Sequence, residues 1–251
     1  MKVSVITVCF NSEKTIEDTL KSVAAQTYQN IEYIVIDGAS SDSTNEVIEK
    51  YIDLVSVHVS EKDNGLYDAM NKGIQLATGD IVGIINSDDI LCDETIIQKV
   101  VDGIEGVDCV YADVAFYRKD DLGKMVRYYS SDGFSIRKLS RGMMPAHPSI
   151  YVRRECYIQV GSYSTNYSIA SDFDMVVRLF SLPDFKSRYI PLEFVKMRLG
   201  GISTGGFKAN YLLNKEILDS CRVNNISTNW LKLLSKYPGK LLGYIIKSKL
   251  C

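Results

Sequence analysis

The chain has 251 residues, is 46% hydrophobic and 24% charged, and carries a net charge of −2. That composition is ordinary for a globular protein with a full core, and the length allows one large α/β domain or two small ones. Without a basic excess there is no global field to attract nucleic acid, whereas a small anionic ligand needs only a local pocket.

Val3 to Phe10 is nearly continuous and β-branched, the pattern of a central parallel strand. Asn11-Ser12 then predicts the cap of a helix reaching Thr27, with Glu13, Glu17 and Asp18 in its early turns. The unit recurs as a strand over Ile31 to Ile36, a cap at Ser41-Asp42-Ser43, a helix over Thr44 to Tyr51 and a third strand over Val55 to Val59. Asp68 to Ala77 reads as a helix, with Gly79 just past its end where positive φ does not strain glycine. Ile81 to Ile85 is another buried strand, followed closely by the adjacent acids Asp88 and Asp89. Strands and helices alternating at this spacing predict a doubly wound parallel sheet with right-handed crossovers.

After Asp89 the rhythm changes. Val107 to Tyr111, Val114 to Arg118 and Met125 to Tyr129 predict antiparallel strands, separated by turns such as Asp120-Asp121-Leu122-Gly123. Ser149 to Val152 predicts a further strand and Ser171 to Leu182 an amphipathic helix. No long Pro-, Ser- or Gly-rich linker divides the halves, so a single domain is expected over residues 1–205, with a nucleotide-binding half at 1–106 and an acceptor-binding half at 107–205. Residues 206–251 read as a helical basic tail, in which eight Lys or Arg from Lys208 onward stand against only Glu216 and Asp219.

Cys9, Cys92, Cys109, Cys156, Cys221 and Cys251 are widely and irregularly spaced, which argues against a zinc site or a disulfide framework and fits a reducing cytoplasm. The apolar run after Met1-Lys2 is too short for a secretory leader, and no stretch approaches the roughly eighteen apolar residues of a spanning helix. Membrane contact is therefore expected to be peripheral.

Carboxylates at the carboxyl ends of parallel strands stand where open α/β sheets bind ligands. Asp88 and Asp89 repel each other unless a cation or hydrogen-bond donors neutralise them. They point either to a divalent metal holding a phosphorylated ligand or to a turn capping the helix at Thr95 to Val101. Asp37, about thirty residues into a βαβ unit, fits either a nucleotide hydrogen-bond acceptor or an Asx-turn acid. Neither G-x-G-x-x-G nor G-x-x-x-x-G-K-[ST] follows the first strand, so a dehydrogenase or P-loop enzyme is disfavoured. Asp63 reaches the same nucleotide or is a solvated loop charge, and Lys72 faces the diphosphate or water. His147, in Pro145-Ala146-His147-Pro148, is held either toward a cleft or as a satisfied polar group, while His58 reads as structural. Ser171-Asp172-Phe173-Asp174 opens a helix either with caps and an Asp174–Arg178 pair or with a general base.

Together these motifs resemble family 2 glycosyltransferases of the GT-A fold, particularly the bacterial polysaccharide-forming branch. The resemblance runs from Val3 to about Leu199. It is carried by Val5-Ile6-Thr7-Val8 with Asn11, Asp37-Gly38-Ala39-Ser40 with Asp42 and Thr44, and Glu61-Lys62-Asp63-Asn64-Gly65 with Tyr67-Asp68-Ala69-Met70-Asn71-Lys72-Gly73. Asn86-Ser87-Asp88-Asp89, His147-Pro148-Ser149 and Asp172-Phe173-Asp174 complete it. It implies an open, mostly parallel twisted sheet flanked by helices, with added antiparallel strands and a helical C-terminal tail. It also implies that Val8, Asn11, Asp37, Asp63, Lys72, Ser87 and Asp88 hold a nucleotide-sugar donor, a UDP-sugar in this reading, and that Asp88 with Asp89 nearby binds Mg²⁺ or Mn²⁺. Asp172 is then the base, with His147 and Asp174 on the acceptor side. Two positions depart from the pattern: Asn86 replaces the first acid of a D-x-D segment, and Ser171 stands where Glu is common.

The implied reaction is a single inverting transfer, since the Q-x-x-R-W signature of processive synthases is absent. The tail segments Trp230-Leu231-Lys232-Leu233-Leu234 and Leu241 to Lys247 suit either an interfacial helix or a packed lid. The interfacial reading puts the enzyme at the inner face of the cytoplasmic membrane with a polyprenyl-diphosphate-linked saccharide acceptor. A sugar-1-phosphate nucleotidyltransferase and a degenerate sugar-nucleotide-binding module are the rival readings.

Overall fold

A computed structural model describes residues 1–200 and 206–237. In chain order the elements are β1 (Val3–Cys9), α1 (Ile16–Ala24), β2 (Ile31–Asp37), α2 (Thr44–Glu49), β3 (Val57–Ser60), α3 (Leu66–Leu76), β4 (Ile81–Asn86), β5 (Ile90–Leu91) and α4 (Ile96–Gly103). They continue as β6 (Cys109–Arg118), β7 (Asp121–Tyr129), α5 (Ile136–Leu139), β8 (Tyr151–Arg153), α6 (Arg154–Val160), α7 (Ser171–Phe180), β9 (Ser187–Arg198), α8 (Gly206–Val223) and α9 (Trp230–Leu234).

One nine-stranded sheet runs β3-β2-β1-β4-β8-β6-β9-β5, with β7 also paired to β6. The first four strands are parallel, as their unbroken β-branched runs require when both faces are covered. Period-two alternation feeds two cores. Ile6, Val8, Ile34 and Ile36 pack beneath α3 and α7, while Val3, Val5, Tyr33 and Val35 pack beneath α1 and α4. Gly83 in β4 leaves room for the ring of Tyr151, since an added Cβ would stand 2.2 Å from its Cε1.

Beyond β4 the expected antiparallel strands make the sheet mixed: β8 joins β4 and β6 antiparallel, whereas β9 joins β6 parallel. The two strands expected at 107–111 and 114–118 are one, β6, which crosses the buried Asp113. Its carboxylate accepts Tyr128 Oη and Tyr189 Oη at 2.7 Å each and the Ser131 N–H at 2.6 Å, so an acid that reads as a turn is satisfied inside the sheet. Helix α1 starts later than its expected cap. The Ser12 carbonyl accepts from the N–H groups of Thr15 and Ile16, and Asn11 turns the chain at φ 49. Gly79 is not a positive-φ helix stop; it is small because Ser4 N would lie 2.7 Å from an added Cβ.

Candidate active site

Strand register sets the site. Cys9 pairs with Asp37, Asp37 with Ser60, and Val8 with Asn86, so the carboxyl ends of β1, β2, β3 and β4 lie level along one edge. The loops leaving that edge carry Asn11, Asp37, Asp63, Ser87 and Asp88. The short 3-10 turn His147–Ser149, which leads into β8, packs at the same end of β4.

On the β2 side, Asp37 is fully buried and already crowded with donors. Its oxygens accept from Ser40 N at 3.0 Å, Asn45 Nδ2 at 2.9 Å and Ser60 Oγ at 2.6 Å, as well as from Ser40 Oγ. These bonds hold its carboxyl below the usual range despite the burial that opposes them. Asp37 is therefore the organiser of the β2–α2 loop, and a nucleotide N–H reaching it has to replace a present donor. Asn11 continues that loop, accepting from Ser41 N at 2.9 Å. Asp63 accepts from Gly65 N at 2.8 Å and lies against Gly38, where an added Cβ would sit 2.4 Å from Asp63 Oδ2. The expected Asp37–Asp63 proximity is thus real, and it is what makes Gly38 a glycine. Val8 points into the core, and Lys72 pairs with Glu61 at 2.8 Å and donates to the Lys62 carbonyl at 3.1 Å, pinning the loop that carries Asp63.

At the end of β4, Ser87 Oγ lies 2.8 Å from Ser12 Oγ and ties the β1 and β4 loops together. Asp88 is partly exposed. Burial raises its carboxyl above the usual value, with Arg198 and Lys119 pulling the other way. Asp89 is not a cleft ligand: it is 1% exposed, takes a 3.0 Å bond from Asn86 Nδ2, and is held well above its ordinary pKa by burial and by the charge of Asp88. Nor does the pair cap the next helix, whose first turn is held by Asp93 through Thr95. Asn86 Oδ1 is a buried oxygen without a partner, two residues before Asp88. This orphaned oxygen and the Asp88 carboxylate suit a hard divalent cation that takes its remaining ligands from phosphate and water. Among the described residues no group of three or more His, Cys, Asp or Glu could hold a metal unaided.

The side expected to face an acceptor is built around the first turn of α7. Asp172 is partly exposed, and burial lifts its pKa to about 6. The Phe173 N–H at 2.7 Å opposes the rise and the nearby Glu216 carboxylate adds to it. Tyr67, the second residue of α3, donates to the Ile169 carbonyl at 2.6 Å and stacks on Tyr163 with centroids 5.9 Å apart. Tyr163 is gripped by Asn71, which accepts its N–H at 2.7 Å and donates to its carbonyl at 3.0 Å. His147 Nε2 lies 2.7 Å from Tyr163 Oη, and burial lowers its pKa to about 4, so at neutral pH the ring is an uncharged brace. Asp174 leaves the acceptor side altogether, because it faces α8 and takes bonds from Arg178 Nε at 2.8 Å, Ser220 Oγ at 2.8 Å and Asn224 Nδ2 at 3.1 Å. The residues that sequence reasoning missed are Tyr67, Asn71 and Tyr163. The first two stand four apart on one face of α3, inside a motif already singled out.

A model of the family described as glycosyl transferase family 2 matches residues 4–163. A PGL/p-HBAD biosynthesis glycosyltransferase of Mycobacterium bovis is 28% identical over 223 residues, covering 86% of this chain and 82% of that protein. An uncharacterized glycosyltransferase of Mycobacterium tuberculosis is 32% identical over 178 residues, covering 70% and 68%. Among solved structures, residues 1–349 of S. aureus TarS in complex with UDP-GlcNAc match with TM-score 0.66 at 17% identity, over 88% of this chain and 66% of that one. The mannosyltransferase PcManGT of Pyrobaculum calidifontis, in complex with GDP-Man and Mn²⁺, matches with TM-score 0.66 at 18% identity, over 90% and 64%. The chain thus spans about two thirds of these solved chains, and at such identities the likeness speaks for the fold, which is GT-A. The family model covers well over half of the sequence, and the chain belongs to glycosyltransferase family 2.

Proposed function

We propose that this glycosyltransferase transfers one sugar, with inversion, from a nucleoside-diphosphate sugar to a saccharide hydroxyl in the building of a cell-surface polysaccharide. The reading is supported by Asp63 and Asp88 leaving one edge of the sheet while Tyr67, stacked on Tyr163, bonds the Ile169 carbonyl of the loop that leads into the Asp172 helix. In this reading Asp63, with the loop that Asp37 and Asn11 shape, receives the base and ribose of a UDP-sugar, and Ser87 lines the diphosphate. Asp88 and Asn86 Oδ1 hold Mg²⁺ or Mn²⁺, which offsets charge on the leaving diphosphate when bound. Asp172 accepts the acceptor hydroxyl's proton as that oxygen attacks the anomeric carbon from the face opposite the leaving group. A carboxyl near pH 6 is ionised at neutral pH yet more basic than an ordinary aspartate. Thermal melts with UDP-, GDP- and dTDP-sugars, with and without Mn²⁺, test the donor reading, because a ligand of the native state raises its melting temperature. A metal-dependent rise with UDP-sugars is expected. No rise with any of them would sink the reading, and binding without transfer or hydrolysis would favour a sugar-nucleotide-binding module.

We further propose that the acceptor is polyprenyl-diphosphate-linked and met at the inner membrane face. On α9, Trp230, Leu231 and Leu234 are 40%, 80% and 49% exposed beside Lys232, while Leu233 anchors the helix in the core. An apolar face flanked by lysine suits the headgroup boundary. No helix among the described residues is long and apolar enough to cross a membrane, and the tail segment Leu241 to Lys247 lies outside those residues. Sedimentation with phosphatidylglycerol vesicles should carry the protein down, and Leu231→Glu should leave it in the supernatant. Equal sedimentation of both proteins removes α9 from membrane contact.

A further inference from the structure

Residues 168–170, which lead directly into the helix carrying Asp172, have no regular partner of their own. Their three consecutive N–H groups converge on one buried carboxylate, that of Glu216 on α8. Glu216 Oε1 accepts Ser168 N, and Oε2 accepts both Ile169 N and Ala170 N, each at 2.9 Å. Glu216 is 8% exposed. Three consecutive donors converging on one buried carboxylate form an anion-holding concavity, here occupied by the protein's own side chain. The carbonyl side of the same loop is taken by Tyr67, through Ile169 O. Helix α8 adds two further ties: Asp219 accepts from Tyr167 Oη at 3.0 Å, and Ser220 donates to Asp174 in the first turn of α7.

We propose that Glu216 is the positioning residue of the Asp172 base, fixing its place through the 168–170 backbone and keeping a second negative charge beside it. This rests on Asp172 acting as the base. The groups that bear on Asp172 are Glu216 from α8, Tyr67 from α3 and Tyr163 from the loop before α7. Both tyrosines are held neutral at working pH by burial. A helix outside residues 4–163 thus supplies both the geometry and part of the basicity of the reacting carboxylate.

The test uses the full chain with Glu216→Gln, Glu216→Asp and Asp172→Asn. Nucleoside diphosphate release is followed from pH 5 to 9 with UDP-N-acetylglucosamine, or with whichever donor of the panel turns over fastest, and UDP affinity is measured alongside. Glu216→Gln keeps the side chain's size but removes the charge and one carboxylate acceptor. Its kcat should fall about tenfold to a hundredfold, because small misplacements of a reacting group are costly. UDP affinity should stay within about twofold. The acidic limb of its pH profile should move to lower pH, which a merely structural bond would not do. Glu216→Asp retains charge but falls one methylene short of the loop, so its rate should fall while the limb stays nearer the parent's. A ¹³C carboxyl titration of Asp172, assigned by its loss in Asp172→Asn, reads the same shift without turnover. Parent-like rate and limb in a folded Glu216→Gln overturn the proposal. Parent-like turnover in Asp172→Asn instead overturns the base assignment beneath it.

Discussion

Replacing Asp172 with Asn is expected to lower sugar transfer by about a hundredfold to ten-thousandfold, the usual contribution of a positioned base, while UDP affinity stays near the parent's. The same change should raise stability. Asp172 titrates at about 6 in the folded protein against an ordinary 3.8, so between those values the native state holds more protons than the unfolded chain. Its contribution to stability therefore falls as pH rises through that window and stays at its least favourable above it. At neutral pH the ionised carboxylate costs on the order of 1–3 kcal/mol, discounted for partial exposure. Asparagine removes that charge and keeps an oxygen for the Phe173 N–H. A gain of about 2–6 °C in melting temperature is expected at pH 7.5, vanishing toward pH 4. Melts across pH that show no such convergence would refute the burial argument, and unchanged turnover would remove Asp172 from the chemistry. In the parent, kcat/KM should fall on the acid side of about pH 6 as the base becomes protonated.

The second large effect is expected at Asp88. Asp88→Asn takes away the ionised oxygen ligand that the donor-side reading assigns to the cation. Losing several kcal/mol of charge stabilisation corresponds to a decrease in transfer of about a hundredfold to a thousandfold. UDP binding should also stop responding to Mn²⁺. Calorimetric titration of UDP with and without Mn²⁺ on parent and variant separates the outcomes, since a variant with the parent's full metal response shows that the cation is held elsewhere. Asp89→Asn should behave differently: that carboxyl is buried, raised and bonded to Asn86, so its loss should alter the packing of the β4 turn more than the metal response.

The donor half was largely legible in the sequence because its physics is local. Strands buried on both faces leave unbroken runs such as Val3 to Cys9 and Ile31 to Asp37, and acids at or after their carboxyl ends mark one edge of the sheet. What a sequence does not display is the company a side chain keeps. Asp37, Asp89, Lys72 and Asp174 were all picked out, yet each carboxylate or ammonium is engaged by neighbours that only the fold delivers: Ser60, Asn86, Glu61 and Ser220. Asp113 is satisfied in the same way, by tyrosine partners that come from β7 and β9. Tyr163 meets its partner Asn71 from 92 residues away, beyond any periodicity. Glu216 and Asp219 did stand out as the two acids of a basic segment, and both turn out to bind the loop before α7.

That grip has a consequence for substitution. Glu216 holds the main chain of residues 168–170, so the side chains there are not what secures it; Ser168 is exposed and Ile169 only half-buried. Exchanging those two side chains should therefore leave the turn that enters α7 in place, because its hold is on the backbone.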